Sequence, residues 1–242
     1  MKTITHNPLS LLSCGLLLLP LPLHSAAIAI NFNVPNTRGD GDAPDPTLAD
    51  FTSADPNVAG GTLLNSGSGG NGSGWTDLAV STSVGPFSVI TTGSANGFNA
   101  GDTKWNDEDP LYEGYVYQNN ADGTNVMTIS GLAAFGAGQT ITLTLHGVGD
   151  SNGQDTTFIA SYGSQPDQSG TTTMNASDRS ASTPFVQFSF LSDGITDEIS
   201  YQFNNGPGGT GYHNGLSLSV IPEPSTALLG ALGLFGLLRR RR

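Results

Sequence analysis

The chain has 242 residues, 20 acidic and eight basic side chains, and a net charge of −12 at neutral pH. That balance excludes nucleic acid and argues against anionic lipid or anionic polysaccharide as a direct partner. The single cysteine, Cys14, rules out an intramolecular disulfide, and the sequence holds no Cys/His metal spacing and no phosphate-binding loop.

Lys2 opens a weakly basic start. An apolar stretch follows from Leu9 to Leu23, interrupted by Pro20 and Pro22, and small residues come next at Ser25, Ala26, Ala27 and Ala29. A basic start, a short apolar run and a small-residue ending make a secretory signal peptide, here residues 1–29. Cleavage after Ala27 satisfies the small-x-small rule through Ser25 and Ala27. Cleavage after Ala29 satisfies it equally through Ala27 and Ala29. Cys14 lies inside the segment to be removed. Much of the apolar run follows it, whereas a lipoprotein site closes the run.

From Ile30 to Ile221, nineteen acidic residues meet three basic ones (Arg38, Lys104 and Arg179), a net charge of −16. A length of about 190 residues suffices for one sizeable core and is short for two domains. The stretch is rich in Gly, Ser, Thr, Asn and Asp, with short apolar or alternating runs between turns. Strands are expected at Ala29–Val34, Gly61–Leu64, Leu78–Ser81, Phe87–Thr91, Gly114–Gln118, Asn125–Ser130, Thr140–His146, Thr157–Ser161, Phe185–Leu191, Glu198–Phe203 and Leu216–Ile221. The clearest alternation is Thr140 to His146, where apolar residues point one way and threonines the other. No window offers an amphipathic helix of three turns. Many short strands with turn punctuation predict an all-β fold, a single jelly-roll-like β-sandwich over residues 30–219. A β-solenoid would need a fixed-period repeat, and none is present.

The loops hold the polar residues. Arg38 to Asp55, with five aspartates and two prolines, reads as an extended loop. Two loops carry oxygen ligands suited to Ca²⁺. In the first, Asp150, Asn152 and Asp155 stand at offsets 0, 2 and 5 around Gly153; a polar hairpin loop is the plainer reading. In the second, Asp107 and Asp109 crowd beside Trp105; the plainer reading is a solvated acidic loop. Gly149-Asp150-Ser151-Asn152-Gly153 matches G-x-S-x-G, but a nucleophile elbow needs a helix after the serine, and a strand is expected here instead. The glutamates Glu108, Glu113 and Glu198 show no pattern of a glycosidase pair. No catalytic residue is assigned. Trp75 and Trp105, with the tyrosines at strand ends, offer faces on which sugar rings could stack; core and rim packing is the plainer reading.

The last 23 residues have three parts in order: Pro222-Glu223-Pro224, an apolar run from Ala227 to Leu238, and Arg239, Arg240, Arg241 and Arg242. The prolines hold the backbone extended. Ser225 and Thr226 can cap a helix, and the arginines resist translocation. The twelve apolar residues cover roughly 18 Å as a helix, short of a hydrocarbon core of about 30 Å. The ordered tripeptide, apolar helix and arginine cluster at the end of a chain with an export signal resemble the PEP-CTERM sorting signal. That resemblance covers residues 220–242. It implies recognition and cleavage by a membrane exosortase after export through the general secretion machinery, and delivery to the cell envelope or extracellular matrix of a bacterium that makes exopolysaccharide. The run Tyr212 to Leu218 is similar to the last strand of other β-rich proteins with this tail. The function expected is a sorted envelope protein with a structural or adhesive sandwich. The alternatives are a carbohydrate-binding module associated with exopolysaccharide and a secreted hydrolase.

Overall fold

The computed structural model describes residues 26–32, 46–65, 74–75, 82–84, 86–92, 95–99, 110–112, 114–119, 125–175, 177–205 and 210–222. In chain order these form β1 (Ala26–Asn31), a five-residue helix α1 (Leu48–Thr52), β2 (Thr62–Asn65), β3 (Gly74–Trp75), β4 (Thr82–Val84), β5 (Phe87–Thr92), β6 (Ala95–Asn99), β7 (Gly114–Asn119), β8 (Asn125–Ser130), β9 (Ala137–His146), β10 (Thr156–Tyr162), β11 (Gln168–Thr171), β12 (Phe185–Asp193), β13 (Glu198–Asn205), β14 (Thr210–His213) and β15 (Gly215–Pro222). The fold is a β-sandwich, as the alternating runs predict. One sheet has the order β12-β9-β15-β1-β2, the other β11-β10-β13-β8-β5-β4, and a smaller third sheet has β14-β7-β6-β3. All pairs are antiparallel except β1 with β2.

The period-2 pattern explains the main core. Ile141, Leu143 and Leu145 of β9, Phe188 and Phe190 of β12, Leu216, Leu218 and Val220 of β15, and Ile28 and Ile30 of β1 point inward from the first sheet. They meet Phe158 and Ala160 of β10, Ile199, Tyr201 and Phe203 of β13, and Met127 and Ile129 of β8. Each large side chain buried this way contributes about 1.5–3 kcal/mol relative to exposure.

The outer face of the first sheet is also covered. Of the stretch Arg38 to Asp55, expected as an extended loop, the described residues 46–55 hold α1 instead, and a 3₁₀ turn at Pro56–Val58 follows. The Asp50 carboxylate accepts from Thr47 N–H (2.6 Å) and from Thr47 Oγ1 (2.9 Å), which closes the first turn. Phe51 and Val58 then pack with Ala29, Leu111, Tyr112, Val148 and Met174 in a second cluster. This cover is why Thr142, Thr144, Ser217 and Ser219 are buried although their strands alternate as if one face met water.

The expected strand near Leu78–Ser81 lies outside the described residues. β3, β4, β6, β11 and β14 are short strands that the periodicity does not mark. β12 ends the first sheet, and its free backbone groups are taken up by side-chain amides. Gln165 donates to Leu191 O (2.7 Å) and accepts from Leu191 N; Gln168 donates to Ser189 O (2.5 Å) and accepts from Ser189 N. Two glutamines thereby stand in for a neighbouring strand and block edge pairing.

Candidate functional site at the root of the C-terminal tail

β15 leads straight into the tail. It lies between β9 and β1, with Val220 opposite Ile141 on one side and Ala26 on the other, and Ser219 opposite Thr142 and Ala27. Pro222, the first residue of the Pro-Glu-Pro tripeptide, is already the last residue of the strand and pairs with Gln139. Proline has no N–H to give to a ladder, so it suits the end of a strand. Glu223, Pro224 and Arg239 to Arg242 lie outside the described residues. Among the described residues no helix is long and apolar enough to cross a membrane.

The start of β15 is fixed by a corner at His213-Asn214-Gly215. Asn214 N donates to His146 O (2.9 Å), its side-chain oxygen accepts from Val148 N (2.8 Å), and its side-chain nitrogen donates to Gly114 O (3.0 Å). Phe32 N donates to Asn214 O (2.8 Å), which ties β1 to the same corner. Gly215 is required by space: a Cβ there would stand 2.7 Å from Ile30 O.

Two histidines beneath the corner are fully buried. His213 Nδ1 lies 2.9 Å from the His146 carbonyl, which can only accept, so Nδ1 carries the proton. Nε2 is then an acceptor and receives the Tyr201 hydroxyl at 2.8 Å. The ring is enclosed by Phe32, Phe158, Tyr201 and Phe203. Burial holds its pKa down at about 4, against a smaller opposing effect of the bond to His146 O. His146 lies on the outer face under Phe51, with Nδ1 2.6 Å from the Tyr112 hydroxyl. Its Nε2 has no partner among the described residues. Burial, and then the nearby His213, lowers its pKa to about 3.

Toward the end of β15 the outer face is polar. Asp55, 1% exposed, accepts from Ser219 Oγ (2.7 Å) through one oxygen, and from Asn57 N and Asn57 Nδ2 (both 3.0 Å) through the other. Beside it, Ala26, Ala27, Asn57, Gly60, Ser219, Val220 and Ile221 line a half-open cavity of about 220 Å³. Asp55 was legible only as one more loop aspartate. The Asp-Pro-Asn sequence that turns its carboxylate back onto Asn57 N is the one local signal for its role.

The other sequence-marked residues lie elsewhere. In the 150–155 loop the Gln154 side-chain oxygen accepts from Asp150 N (2.5 Å) and Ser151 N (2.9 Å). Asp155 accepts from Met174 N (2.7 Å), Asp150 accepts from Ser151 Oγ (3.2 Å), and Asn152 is exposed. Among the described residues no group of three or more His, Cys, Asp or Glu side chains is placed to hold a metal ion; Ca²⁺ takes Asn and backbone oxygens as well. Ser151 is followed by β10 rather than a helix, and its hydroxyl donates to Asp150. His146 and His213 are engaged with Tyr112 and Tyr201, so the elements of a nucleophile elbow are not brought together. Trp75 is in β3, at an end of the third sheet; Trp105, Asp107 and Asp109 lie outside the described residues. Tyr112, Tyr115, Tyr162 and Tyr212 are buried, so these tyrosines are packing residues and not an exposed sugar platform.

Residues 220–242 match the PEP-CTERM protein-sorting motif. The motif implies an exported, exosortase-processed protein that its tail anchors at least transiently. Its first three residues are the end of β15. No curated protein matches the chain in sequence. Among solved structures, the chain is similar to the family 11 carbohydrate-binding module of Clostridium thermocellum in complex with a mixed-linked tetrasaccharide (11% identity, 62% of this chain and 96% of that one, TM-score 0.27). It is similar also to an exo-β-1,3-galactanase of Phanerochaete chrysosporium with galactose (15% identity, 57% of this chain, TM-score 0.28), of which it spans 30%. A third likeness is to the enzymatically active domain of tailspike protein 4 of bacteriophage CBA120 (12% identity, 65% of this chain, TM-score 0.30), of which it spans 25%. Likenesses this distant assign neither ligand nor activity to the chain.

Proposed function

We propose that this chain is an exosortase substrate of the cell envelope or extracellular matrix, whose β-sandwich serves a structural or adhesive role without catalysis. The observation that carries the reading is the ordered tail at residues 220–242 joined without a linker to β15. The strand orders β1-β15-β9-β12 and β8-β13-β10-β11 support a jelly-roll description of the sandwich, with residues between β1 and β8 supplying extra edge strands and, together with β14, the third sheet. In this reading the leader exports the domain, the arginines hold the end of the tail on the cytoplasmic side, and the domain is passed on to surroundings rich in exopolysaccharide. The test is the intact mass and location of the mature protein. Replacing Pro222-Glu223-Pro224 by alanines blocks C-terminal cleavage while export continues. Replacing Arg239 to Arg242 by serines releases a longer, unprocessed form. Unchanged mass and location in both variants would overturn the reading.

A further inference from the structure

Two cuts at the N-terminus satisfy the sequence rule for leader removal, and the folded chain distinguishes them. β1 is the second strand from an edge of its sheet, and its residues differ in what they contribute. Ala26 and Ala27 are only half-buried. Ile28, Ala29, Ile30 and Asn31 are buried, and each is paired on both sides: Ile28 with Leu218 and Thr62, Ala29 with Ser217 and Leu63. Ile28 belongs to the core between the sheets, and Ala29 to the cluster beneath α1. Compared with a cut after Ala27, a cut after Ala29 would remove one further residue from each cluster, Ile28 and Ala29, and two further rungs from each ladder. A cut after Ala27 leaves every fully buried residue of β1 in place.

On the export reading proposed above, we infer that the leader is removed after Ala27, so that the mature chain begins at Ile28. Access is no obstacle, although the site becomes part of a strand. β15, which flanks β1, is the last strand of the domain, so residues 25–31 leave the membrane long before their partner exists. Hydrolysis of the Ala27–Ile28 peptide bond consumes one water and leaves a carboxylate on Ala27 and an ammonium on Ile28. That new cation arises next to the position that faced Ser219, whose hydroxyl donates to the buried Asp55. Asp55 has no cationic partner among the described residues, and a fixed opposite charge stabilises a buried carboxylate.

The cut has a second consequence. Ala26 and Ala27 are the partners of Val220 and Ser219, and they help line the cavity at the root of the tail. Once they leave with the leader, β15 from Ser219 to Pro222 keeps β9 as its one strand partner among the described residues. The residues just before the tripeptide then form an open strand edge, the extended form in which a protease takes its substrate. Removal of the leader thus uncovers the place where the tail is attached.

The experiment is expression of the full-length chain in a bacterial host with a general secretion pathway, followed by N-terminal sequencing of the exported protein. The expected sequence begins Ile28-Ala29-Ile30. A start at Ile30 would overturn the inference while leaving the export reading intact; a start at Met1 would overturn both. Ser25→Leu provides the independent check, because Ser25 precedes the first strand. It occupies the third position before a cut after Ala27 and plays no part in the rule for a cut after Ala29. The variant is expected to lose the Ile28 species at least tenfold. An undiminished yield of Ile28 chains from it would count against the assignment.

Discussion

The two buried histidines make the sandwich acid-labile well above the pH at which carboxylates protonate. His213 and His146 are neutral when folded, with pKa values of about 4 and about 3. In the unfolded chain each returns to about 6.5. A depressed folded pKa on a basic group means that the unfolded state binds the extra proton. Stability is therefore unaffected above about pH 6.5 and falls as the pH drops from there toward the folded pKa values. At about pH 5 each histidine costs about 2 kcal/mol, since one pH unit per proton is 1.36 kcal/mol. The pair costs about 4 kcal/mol. For a domain of this size that lowers the melting temperature by about 10 °C. Urea unfolding of the exported domain at about pH 7.5 and about pH 5 measures the difference. His213→Gln should roughly halve the pH slope. The slope is the readout, because the substitution also disturbs the bonds to Tyr201 and His146 O and lowers stability at every pH. Equal unfolding free energies at the two pH values in the parent protein would refute the argument, since a fully buried neutral imidazole cannot avoid this linkage.

Gly215→Ala should destabilise the domain by about 3 kcal/mol, because the new methyl meets a backbone oxygen that sheet pairing holds in place; thermal or urea unfolding reads it directly. Calcium is the ion proposed for the acidic loops. At about a hundred times its dissociation constant it would add about 2.7 kcal/mol, a few degrees of melting temperature. Asp150→Ala or Asp155→Ala should abolish that shift if the first loop binds it, and Asp107→Ala or Asp109→Ala if the second does. Coincident melts in calcium and in chelator would end the proposal. If the alternative carbohydrate-binding reading holds, the domain binds defined sugars on a glycan array and Trp75→Ala or Trp105→Ala weakens the binding by about tenfold; an empty array leaves the structural role.

The strands visible in the sequence are those whose two faces have different chemistry. Thr140 to His146 and Phe185 to Leu191 alternate because one side meets the opposite sheet, and both are found in register with each other. What the alternation does not reveal is what lies on the second side. Thr144 and Ser217 look like solvent-facing residues, yet both are fully buried, because α1 and the Pro56–Val58 turn lie over them. The cover itself escaped notice because its helix is one turn long and its aspartates resemble those of an exposed loop. Thr47 and Asp50, three residues apart, were the available signal. The tail was legible because it is a linear signal, carried by residue types in order. The corner at Asn214 was not, because its partners Val148, Gly114 and His146 come from distant parts of the chain and no local pattern brings them together.

The first and last strands of this domain are neighbours, and the last of them carries the tail. β15 fills the centre of the first sheet, so β9 and β1 cannot belong to one sheet until residues 215–222 are in place. Contacts of such sequence separation form late, because the loop they close must be ordered before they stabilise anything. On the proposed route, the domain completes its first sheet only when the chain is out to the tail. The start of β1 and the end of β15 lie side by side in antiparallel register, Ala26 opposite Val220. On the proposed route, a chain that still carries both leader and tail is held at this one end of the first sheet, because residues 26 and 222, where the two join the described domain, belong to neighbouring strands there. The opposite end, where the corner at Asn214 joins the third sheet, points away from that attachment. The acidic loop at Asp150 to Asp155, which follows β9 beyond His146, lies at the same end of the sheet as the Asn214 corner.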